Sequence, residues 1–400
     1  MPETARGPQQ SVLIVGASTR AAAQSAIRAG LVPTCADLFA DLDLRACARV
    51  LEVPDYPQGL AAAAARAPDF PWMYTGGIEN HPDLIARISE TRPLWGNARD
   101  VVRRVRDPWL VGEMLTQAGL PALRVWPREA QPPAADGTWM LRPLRGSAGR
   151  GIRVWENDSG EWPTLREAHY FQQRSGGDPF SALFLGAPKQ THLLAVTRQL
   201  IGLNAVHAPP FAWCGTITPM ELPEGIVTNM RRNGEIIAAR ANLQGLFGCD
   251  FLVEGSEAWL TEVNPRYPAS TELVEHVLGM PLLDCHRRVF EGQVVAPPSG
   301  GRLREPPEGG TANILGKIIL YADRDLVAPD VTRFLSRPLP WSAPAAHLGD
   351  SLPSIADIPP PGQAIGRGQP ICTLLASASS EEECLAELIR HAERFERSLK

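Results

Sequence analysis

The sequence predicts a mixed α/β protein built from more than one subdomain. The chain has 400 residues, which is too long for a single hydrophobic core. Its start alternates buried strand, helix and strand, and its middle carries strand pairs joined by glycine turns. The end combines short strand-like runs with a long helix, for which Ser380 is the predicted N-cap.

The first hundred residues are expected to form an open α/β unit. "SVLIVGAS" predicts a buried strand ending at Gly16, "TRAAAQSAIRAG" a helix ending at Gly30, and "VPTCAD" a second strand ending at Asp37. An acid about 20 residues after a glycine is also found in dinucleotide-binding units. Positions 16, 18 and 21 are Gly, Ser and Ala, which fit that glycine pattern poorly, so an ordinary βαβ start is favoured.

Charge and cysteine usage limit the possible functions. A net charge of −5 argues against nucleic acid as the main partner, because the chain has no excess of Lys and Arg to neutralise a nucleic-acid backbone. Residues 1–10 are polar and the apolar run 12–17 is too short for a leader or a membrane span. The seven cysteines are scattered without metal-ligand spacing, so a reduced cytoplasm is predicted.

Residues 245–266, "GLFGCDFLVEGSEAWLTEVNPR", predict a hairpin with acids on one face. A hairpin centred on Ser256 places Asp250 directly opposite Glu262. Two opposed carboxylates repel each other unless a cation lies between them, and oxygen ligands suit Mg²⁺. The sequence therefore predicts a magnesium site, although a solvent-facing hairpin is the alternative.

Two more polar residues follow at the same spacing. Asn264 lies two residues after Glu262, so it adds a third oxygen ligand on the same face of the strand. Arg266 follows at the same spacing, where it could contact an anion bound to the metal. The same register places Leu252 opposite Leu260. Pro265 ends the strand and restricts the residue before it.

The segment "LRPLRGSAGRGI" predicts a glycine-rich turn between two strands within residues 138–155. Consecutive backbone N–H groups in such a turn can form an anion-binding nest, and the two arginines supply positive charge. A glycine turn without any ligand is the alternative. The candidate phosphate-binding residues are Arg142, Gly146, Ser147, Ala148, Gly149, Arg150 and Gly151. Together with the acidic hairpin they indicate a nucleoside triphosphate with magnesium.

The order "RPLRGSAGRGI", "GLFGCDFLVE", "LTEVNPR" resembles the ATP-grasp superfamily, which includes biotin carboxylase, purine-pathway carboxylases and many carboxylate–amine ligases. The tail, with "NILGKIILYADRD" and "ADIPPPGQAIGRGQPICTLLA", is similar to predicted ATP-dependent carboligases related to biotin carboxylase. The resemblance implies three parts. These are an N-terminal open α/β (pre-ATP-grasp) domain at 1–100, a two-lobed ATP-grasp domain at 101–295, and a small, mostly β unit with a terminal helix at 296–400.

Roles for individual residues follow from the resemblance. Asp250, Glu262 and Asn264 would hold Mg²⁺ or Mn²⁺, and Arg266 with Asn264 would act in catalysis. Loop 146–151 would close over the ATP phosphates. The segment "YFQQRS" would meet adenine, with Gln172, Gln173 and Arg174 as candidates.

Two departures from the superfamily pattern concern lysines. Arg142 stands where a lysine is usual before the loop, and Pro108 follows Asp107 where many members have lysine. Arginine keeps the charge and adds a bidentate contact, but it is not a compact ammonium. How ATP is held without these lysines is left open by the sequence.

The implied activity is an ADP-forming ligase, which activates a carboxylate as an acyl phosphate for attack by an amine, in coenzyme or one-carbon metabolism. Three alternatives remain at this point. They are a bicarbonate-using carboxylase with a separate biotin carrier, an ATP-binding module without turnover, and a nicotinamide oxidoreductase based on Gly16 and Asp37. Small-molecule substrates, no membrane partner and a homodimer are compatible with the chain.

Overall fold

The computed structural model describes residues 10–156, 168–295, 314–330 and 353–398. The N-terminal elements are β1 Ser11–Gly16, α1 Arg20–Arg28, β2 Val32–Asp37, α2 Leu42–Arg45, β3 Arg49–Glu52, α3 Leu60–Arg66, β4 Trp72–Tyr74 and α4 Pro82–Ser89. The four strands form a parallel sheet in the order β3-β2-β1-β4. Alternate residues of β1 enter two different cores, with Ile14 in one and Leu13 in the other, as in a sheet covered on both faces. The predicted βαβ start is confirmed.

A second unit contains the glycine-rich turn. Its elements are α5 Arg99–Val105, α6 Pro108–Gln117, β5 Asp136–Pro143, β6 Arg153–Glu156 and β7 His169–Gln173. The strands form a small sheet in the order β6-β5-β7, with Trp139 and Trp155 in its core. Asp107 is the N-cap of α6, because its Oδ1 accepts from the N–H groups of Trp109 at 3.0 Å and Leu110 at 3.1 Å. Pro108 suits the first helical position, so this dipeptide serves the helix start.

The remaining elements build one large sheet. They are β8 Asp178–Ala187, β9 Gln190–Ile201, β10 Trp213–Thr218, α7 Glu224–Ala241, β11 Gly245–Glu254, β12 Glu257–Asn264, α8 Thr271–Leu278, α9 Leu282–Phe290, β13 Ile314–Tyr321, β14 Leu326–Val327, β15 Ile355–Ala356, β16 Ala364–Ile365, β17 Pro370–Ala378 and α10 Glu381–Ser398. The order is β12-β11-β8-β9-β10-β13-β17-β15, and β14 pairs with β16 apart from it. Because β13 pairs with β10, the sheet continues across the proposed boundary at residue 296.

Helices cover this sheet at two places. On α7, Gly234 lies over Phe184, and a Cβ at this position would approach the ring to 2.3 Å, so only glycine permits the close packing. On α10, Leu388 and Ala392 are fully buried over β13 and β17. Ser380 caps α10 as predicted, since its Oγ accepts from the N–H of Glu383 at 3.2 Å. Within the described part of the chain, no helix is sufficiently long and apolar to span a lipid bilayer.

Candidate active site

The predicted acidic pair exists. In the hairpin of β11 and β12, Asp250 lies directly opposite Glu262. The predicted pairing of Leu252 with Leu260 is wrong, because Thr261 is an extra residue in a β-bulge. Beyond the bulge Phe251 faces Leu260, and Leu260 is buried in the core with it.

The two acids have different surroundings. Burial, and then the charge of Glu262, raise the pKa of Asp250 from 3.8 to about 6. The amide Nδ2 of Asn264 donates to Asp250 Oδ2 at 2.9 Å. Burial also acts to raise the pKa of Glu262, but the guanidinium groups of Arg106 and Arg142 outweigh it and hold that pKa below its ordinary value.

Arg106 is therefore the main counter-ion of the pair, and sequence reasoning missed it. It follows α5, and its Nη1 donates to Glu262 Oε1. Its Nη2 donates to the carbonyl of Gly146 at 3.0 Å and to Asn80 Oδ1 at 3.1 Å. Arg142 lies further from the acid, with 3.6 Å between its Nη2 and Glu262 Oε2. Two guanidinium groups thus surround Glu262, and one of them, Arg142, stands where the superfamily pattern leads us to expect a lysine.

Arg266 reaches the same site from the end of β12. Its Nη2 donates to Asn264 Oδ1 at 3.1 Å, and its Nε donates to Glu79 Oε1 at 3.1 Å. Glu79 belongs to the N-terminal unit and is only 3% exposed. The structural partner of Arg266 is therefore Glu79.

The glycine loop has the left-handed backbone that a nest requires. Ala148, Gly149 and Gly151 have φ angles of 53°, 75° and 78°. The N–H of Arg150 is used within the loop, donating to the carbonyl of Ser147 at 3.2 Å. Asn80 Nδ2 donates to the carbonyl of Gly146 at 3.1 Å, which fixes the loop to the N-terminal unit.

The far side of the loop contacts the segment before β10. The N–H of Trp213 donates to the carbonyl of Ala148 at 3.1 Å. A Cβ at Gly149 would approach the carbonyl oxygen of Phe211 to 1.9 Å. A side chain at position 149 therefore disturbs the protein's own packing as well as any phosphate, so such a variant is a poor test of phosphate binding alone.

The three predicted adenine contacts are separated by the structure. Gln172 lines a cavity of about 60 Å³ between the small sheet, α6 and β12, and its Oε1 accepts from Arg142 Nη1 at 2.5 Å. Gln173 Oε1 instead accepts from Arg124 Nε at 3.1 Å, and Arg174 is a largely exposed side chain. Neither of them lines that cavity.

A larger cavity of about 360 Å³ adjoins the acids. All three parts of the chain contribute to its wall, so it lies at their junction. Its charged lining residues are Arg20, Glu79, Arg142, Asp250, Glu262, Arg266, Lys317 and Asp357. A cavity of this size at a domain junction is typical of a small-molecule site.

One end of this cavity is a buried ionic network that sequence reasoning missed. Arg20 is 1% exposed and pairs with Glu272 and with Asp357, whose Oδ1 lies 2.9 Å from its Nε. Lys317 Nζ donates to Glu272 Oε2 at 2.9 Å and to the carbonyl of Ala269 at 2.6 Å. A signal was present, because Lys317 is one of only three lysines in the chain and interrupts an apolar strand.

The donor set next to the glycine loop suits a hard cation. Asp250 and Glu262 offer carboxylate oxygens in opposed positions, and the pKa of Asp250 is raised first by burial and then by the charge of Glu262. Across residues 10–156, 168–295, 314–330 and 353–398, no group of three or more His, Cys, Asp or Glu side chains is arranged to hold a metal. A cation here would therefore depend on the amide oxygen of Asn264, or on oxygen atoms of water or a ligand, in addition to the two acids.

Asp37, on which the nicotinamide interpretation rested, is a structural residue. It is completely buried, and its Oδ2 accepts from the N–H of Thr19 at 2.6 Å and from Thr19 Oγ1 at 2.7 Å. Its Oδ1 accepts from the N–H of Ala40 at 2.7 Å. Both oxygens hold the chain at the ends of β1 and β2, so none is available for a ribose hydroxyl.

The hairpin of opposed acids, the glycine loop facing it and the arginine at the strand end are the features in which the sequence resembles the ATP-grasp superfamily. Residues 105–270 match the family model of the ATP-grasp domain, so this segment is an ATP-grasp domain. The resemblance seen in the sequence is thereby confirmed.

Solved structures extend the likeness to nearly the whole chain. An L-amino acid ligase from Bacillus licheniformis is 14% identical, with a TM-score of 0.68, covering 97% of this chain and 98% of that one. A biotin carboxylase from Campylobacter jejuni is 16% identical, with a TM-score of 0.64 and coverage of 95% and 90%. An N5-carboxyaminoimidazole synthetase from Staphylococcus aureus, complexed with ADP, is 14% identical, with a TM-score of 0.64 and coverage of 96% and 97%. At these identities the likeness shows the fold.

Proposed function

We propose that the protein is an ATP-dependent ligase that activates a carboxylate as an acyl phosphate and transfers the acyl group to an amine. The observation that carries this proposal is the meeting of Asp250, Glu262 and Arg266 at one end of the 360 Å³ cavity. Acyl phosphate formation needs orientation and charge neutralisation rather than a protein nucleophile. The site offers both, from residues that the fold holds in place.

The nucleotide would enter between the small sheet and β12. The cavity beside Gln172 measures only about 60 Å³, far below the ~300–1,000 Å³ of typical ligand pockets. We infer that the glycine loop moves away from β12 to admit ATP. The contacts of Gly146 with Asn80 and Arg106 would then break and be replaced by contacts with phosphate oxygens.

The chain's own charges would hold the phosphates. Arg106 and Arg142 present several N–H donors beside the glycine loop, and planar guanidinium groups suit bidentate contact with phosphate. Asp250, Glu262 and Asn264 would hold Mg²⁺ or Mn²⁺, which neutralises charge on the triphosphate when bound. Arg266 would donate to the oxygen that gains negative charge as the acyl phosphate forms.

The floor of the large cavity supports a polar, extended substrate. Ser181 is paired with Asp250 and with Thr197, so these side chains lie on one face of the sheet. Further along, Thr216 is paired with Gln199 on one side and with Lys317 on the other. These six residues line the cavity, which joins the acids to the buried Lys317. The carboxylate substrate would lie along this row of hydrogen-bonding groups.

A bicarbonate-using carboxylase is the second candidate, and the likeness to biotin carboxylase over nearly the whole chain favours it. A non-catalytic ATP-binding module is the third. The cavity of about 360 Å³ supports a substrate larger than bicarbonate, which is why the ligase is preferred. Membership of coenzyme or one-carbon metabolism, a cytoplasmic location and a homodimer remain predictions from the sequence.

Release of ADP distinguishes these candidates. The purified protein would be incubated with ATP, Mg²⁺ and each of acetate, succinate, glutarate, bicarbonate and the proteinogenic amino acids, alone and with methylamine. A ligase releases ADP only with a carboxylate, and fastest when an amine is also present. Dependence on bicarbonate alone would support the carboxylase, and no ADP with any mixture would support the binding module.

A further inference from the structure

Glu79 is an acid that the N-terminal unit delivers into the active-site cavity. It lies in a single 3₁₀ turn, Ile78–Asn80, just after β4. The two preceding glycines permit this approach. A Cβ at Gly76 would lie 3.2 Å from the guanidinium carbon of Arg266, and Gly77 has a φ of 96° that other residues rarely adopt. The backbone here is shaped to bring Glu79 against Arg266.

Only half of this carboxylate is used by the protein. Glu79 Oε1 accepts from Arg266 Nε at 3.1 Å. Glu79 Oε2 is buried and has no hydrogen-bond partner among the residues that the structure describes. A buried charged oxygen without a partner is unfavourable, so such an atom calls for an explanation. Because Glu79 lines the cavity, a rotation of its carboxylate would present Oε2 to a donor on a ligand.

The groups around Glu79 are mostly cations and phenols. Arg266 donates a hydrogen bond to Glu79, and the charge of Glu79 raises the pKa of Arg106. The same charge acts to raise the pKa of His81, although burial and Arg145 lower it overall. The hydroxyl groups of Tyr56 and Tyr74 are also near enough for its charge to raise their pKa values, after the larger effect of burial. Glu79 thus lies among cations and phenols, beside the residue that would stabilise the acyl phosphate.

We propose that Glu79 Oε2 binds the acceptor amine and takes its proton during the second half of the reaction. The inference rests on the proposed ligase function and names the residue that accepts the proton released as the amide bond forms. As the amine nitrogen forms a bond to the acyl carbon, it becomes positively charged and acidic. Its proton passes to Glu79, the bond from the acyl carbon to the phosphate oxygen breaks, and phosphate leaves with the electron pair. Glu79 then returns the proton to solvent.

A purely structural role predicts a different result. If Glu79 only aims Arg266, its loss should impair formation of the acyl phosphate as much as its consumption. Glu79→Gln separates the two roles, since the amide oxygen can still accept from Arg266 Nε. The amide nitrogen would replace Oε2 and cannot accept a proton. Glu90→Gln, an exposed acid of the same unit, is the matched control.

Hydroxylamine gives the two readouts. It reacts with acyl phosphates as a neutral nucleophile, so hydroxamate formation reports activation of the carboxylate without requiring a base. Each variant would be assayed with ATP, Mg²⁺ and the carboxylate and amine from the ADP-release panel that give the highest wild-type rate. One reaction would contain hydroxylamine and the other would contain that amine.

We expect Glu79→Gln to keep hydroxamate formation within about threefold of wild type while amide formation falls by on the order of 10²–10⁴-fold, the usual contribution of a positioned base. Glu90→Gln should change neither rate. Equal losses in both assays, or no loss of amide formation, would overturn the assignment of Glu79. Absence of carboxylate-dependent hydroxamate from the wild-type protein would instead overturn the ligase function, and the role of Glu79 with it.

Discussion

Replacing Arg106 with methionine should change metal binding and nucleotide binding in opposite directions. The substitution keeps the aliphatic length and removes the charge that neutralises Glu262. Arg106 and Glu262 side chains are 13% and 29% exposed, between the buried and the surface case. Loss of one partner costs ~3–5 kcal/mol when the pair is buried and ~0–1 kcal/mol at a surface, so we expect about 2 kcal/mol of destabilisation. For a chain of this length the melting temperature should fall by about 2–4 °C.

The effect on ligands follows from the same contacts. Without Arg106, the acids repel each other with less compensation, so Mn²⁺ alone should bind about tenfold more tightly. A charged hydrogen bond to phosphate is worth ~1.5–3 kcal/mol, so the dissociation constant of Mg-ATP should rise by about 10–100-fold.

Mn²⁺ titration followed by electron paramagnetic resonance and calorimetry with Mg-ATP measure the two quantities. The matched control is Arg103→Met on α5, whose exposed side chain pairs with Asp83 at 2.8 Å. That variant should resemble wild type in both assays. If Arg106→Met weakens Mn²⁺ binding and leaves Mg-ATP affinity unchanged, Arg106 neither opposes cation binding at the acids nor contacts the phosphates.

Three further outcomes are expected. Arg266→Ala should lower kcat by about 10²-fold per folded molecule with little change in ATP affinity, and Arg266→Lys should restore only part of the rate; equal losses of kcat and ATP affinity would contradict this. Excess EDTA should weaken ATP binding at least tenfold in calorimetry, and unchanged affinity would remove Asp250 and Glu262 as cation ligands. Burial lowers the pKa of His286 from 6.5 to about 4, so the folded protein binds protons less than the unfolded chain does. The contribution of neutral His286 to the free energy of unfolding is therefore full above pH 6.5, and it falls by up to about 3 kcal/mol as the pH drops to 4. In His286→Asn the melting temperature should depend less on pH over this range.

The acidic hairpin was predictable because its pattern is local. A short turn and period-two spacing place Asp250 opposite Glu262 without knowledge of the rest of the molecule. Even so, the predicted pairing of the acids is correct only because two differences from the predicted hairpin cancel. The turn is centred between Gly255 and Ser256, half a residue earlier than predicted, and the bulge at Thr261 restores the register at the acids. Bulges leave little trace in a single sequence.

The counter-ions were not predictable for the opposite reason. Glu262 meets Arg106 across 156 residues, and Arg20 meets Asp357 across 337. Nothing in the local pattern around Arg20 or Arg106 distinguishes them from the many exposed arginines of this chain. Their roles depend on how the N-terminal unit, for Arg20, and the unit with the glycine loop, for Arg106, dock on the large sheet. Lys317 was the exception, since a lone charge within an apolar strand already indicates a buried, partnered cation.

The continuity of the large sheet has a consequence for how the protein is made. Strand β10 pairs with β13, and Thr216 lies opposite Lys317. During synthesis β10 therefore cannot complete this pairing until β13 has left the ribosome. At ~5–20 residues per second, the intervening segment takes about 5–20 s to synthesise. During that interval β10 presents an open edge with unpaired backbone groups, which is a template for association with other chains. A nascent chain that stalls before residue 314 would carry the acidic hairpin and the glycine loop, yet it would expose the strand edge that β13 normally covers.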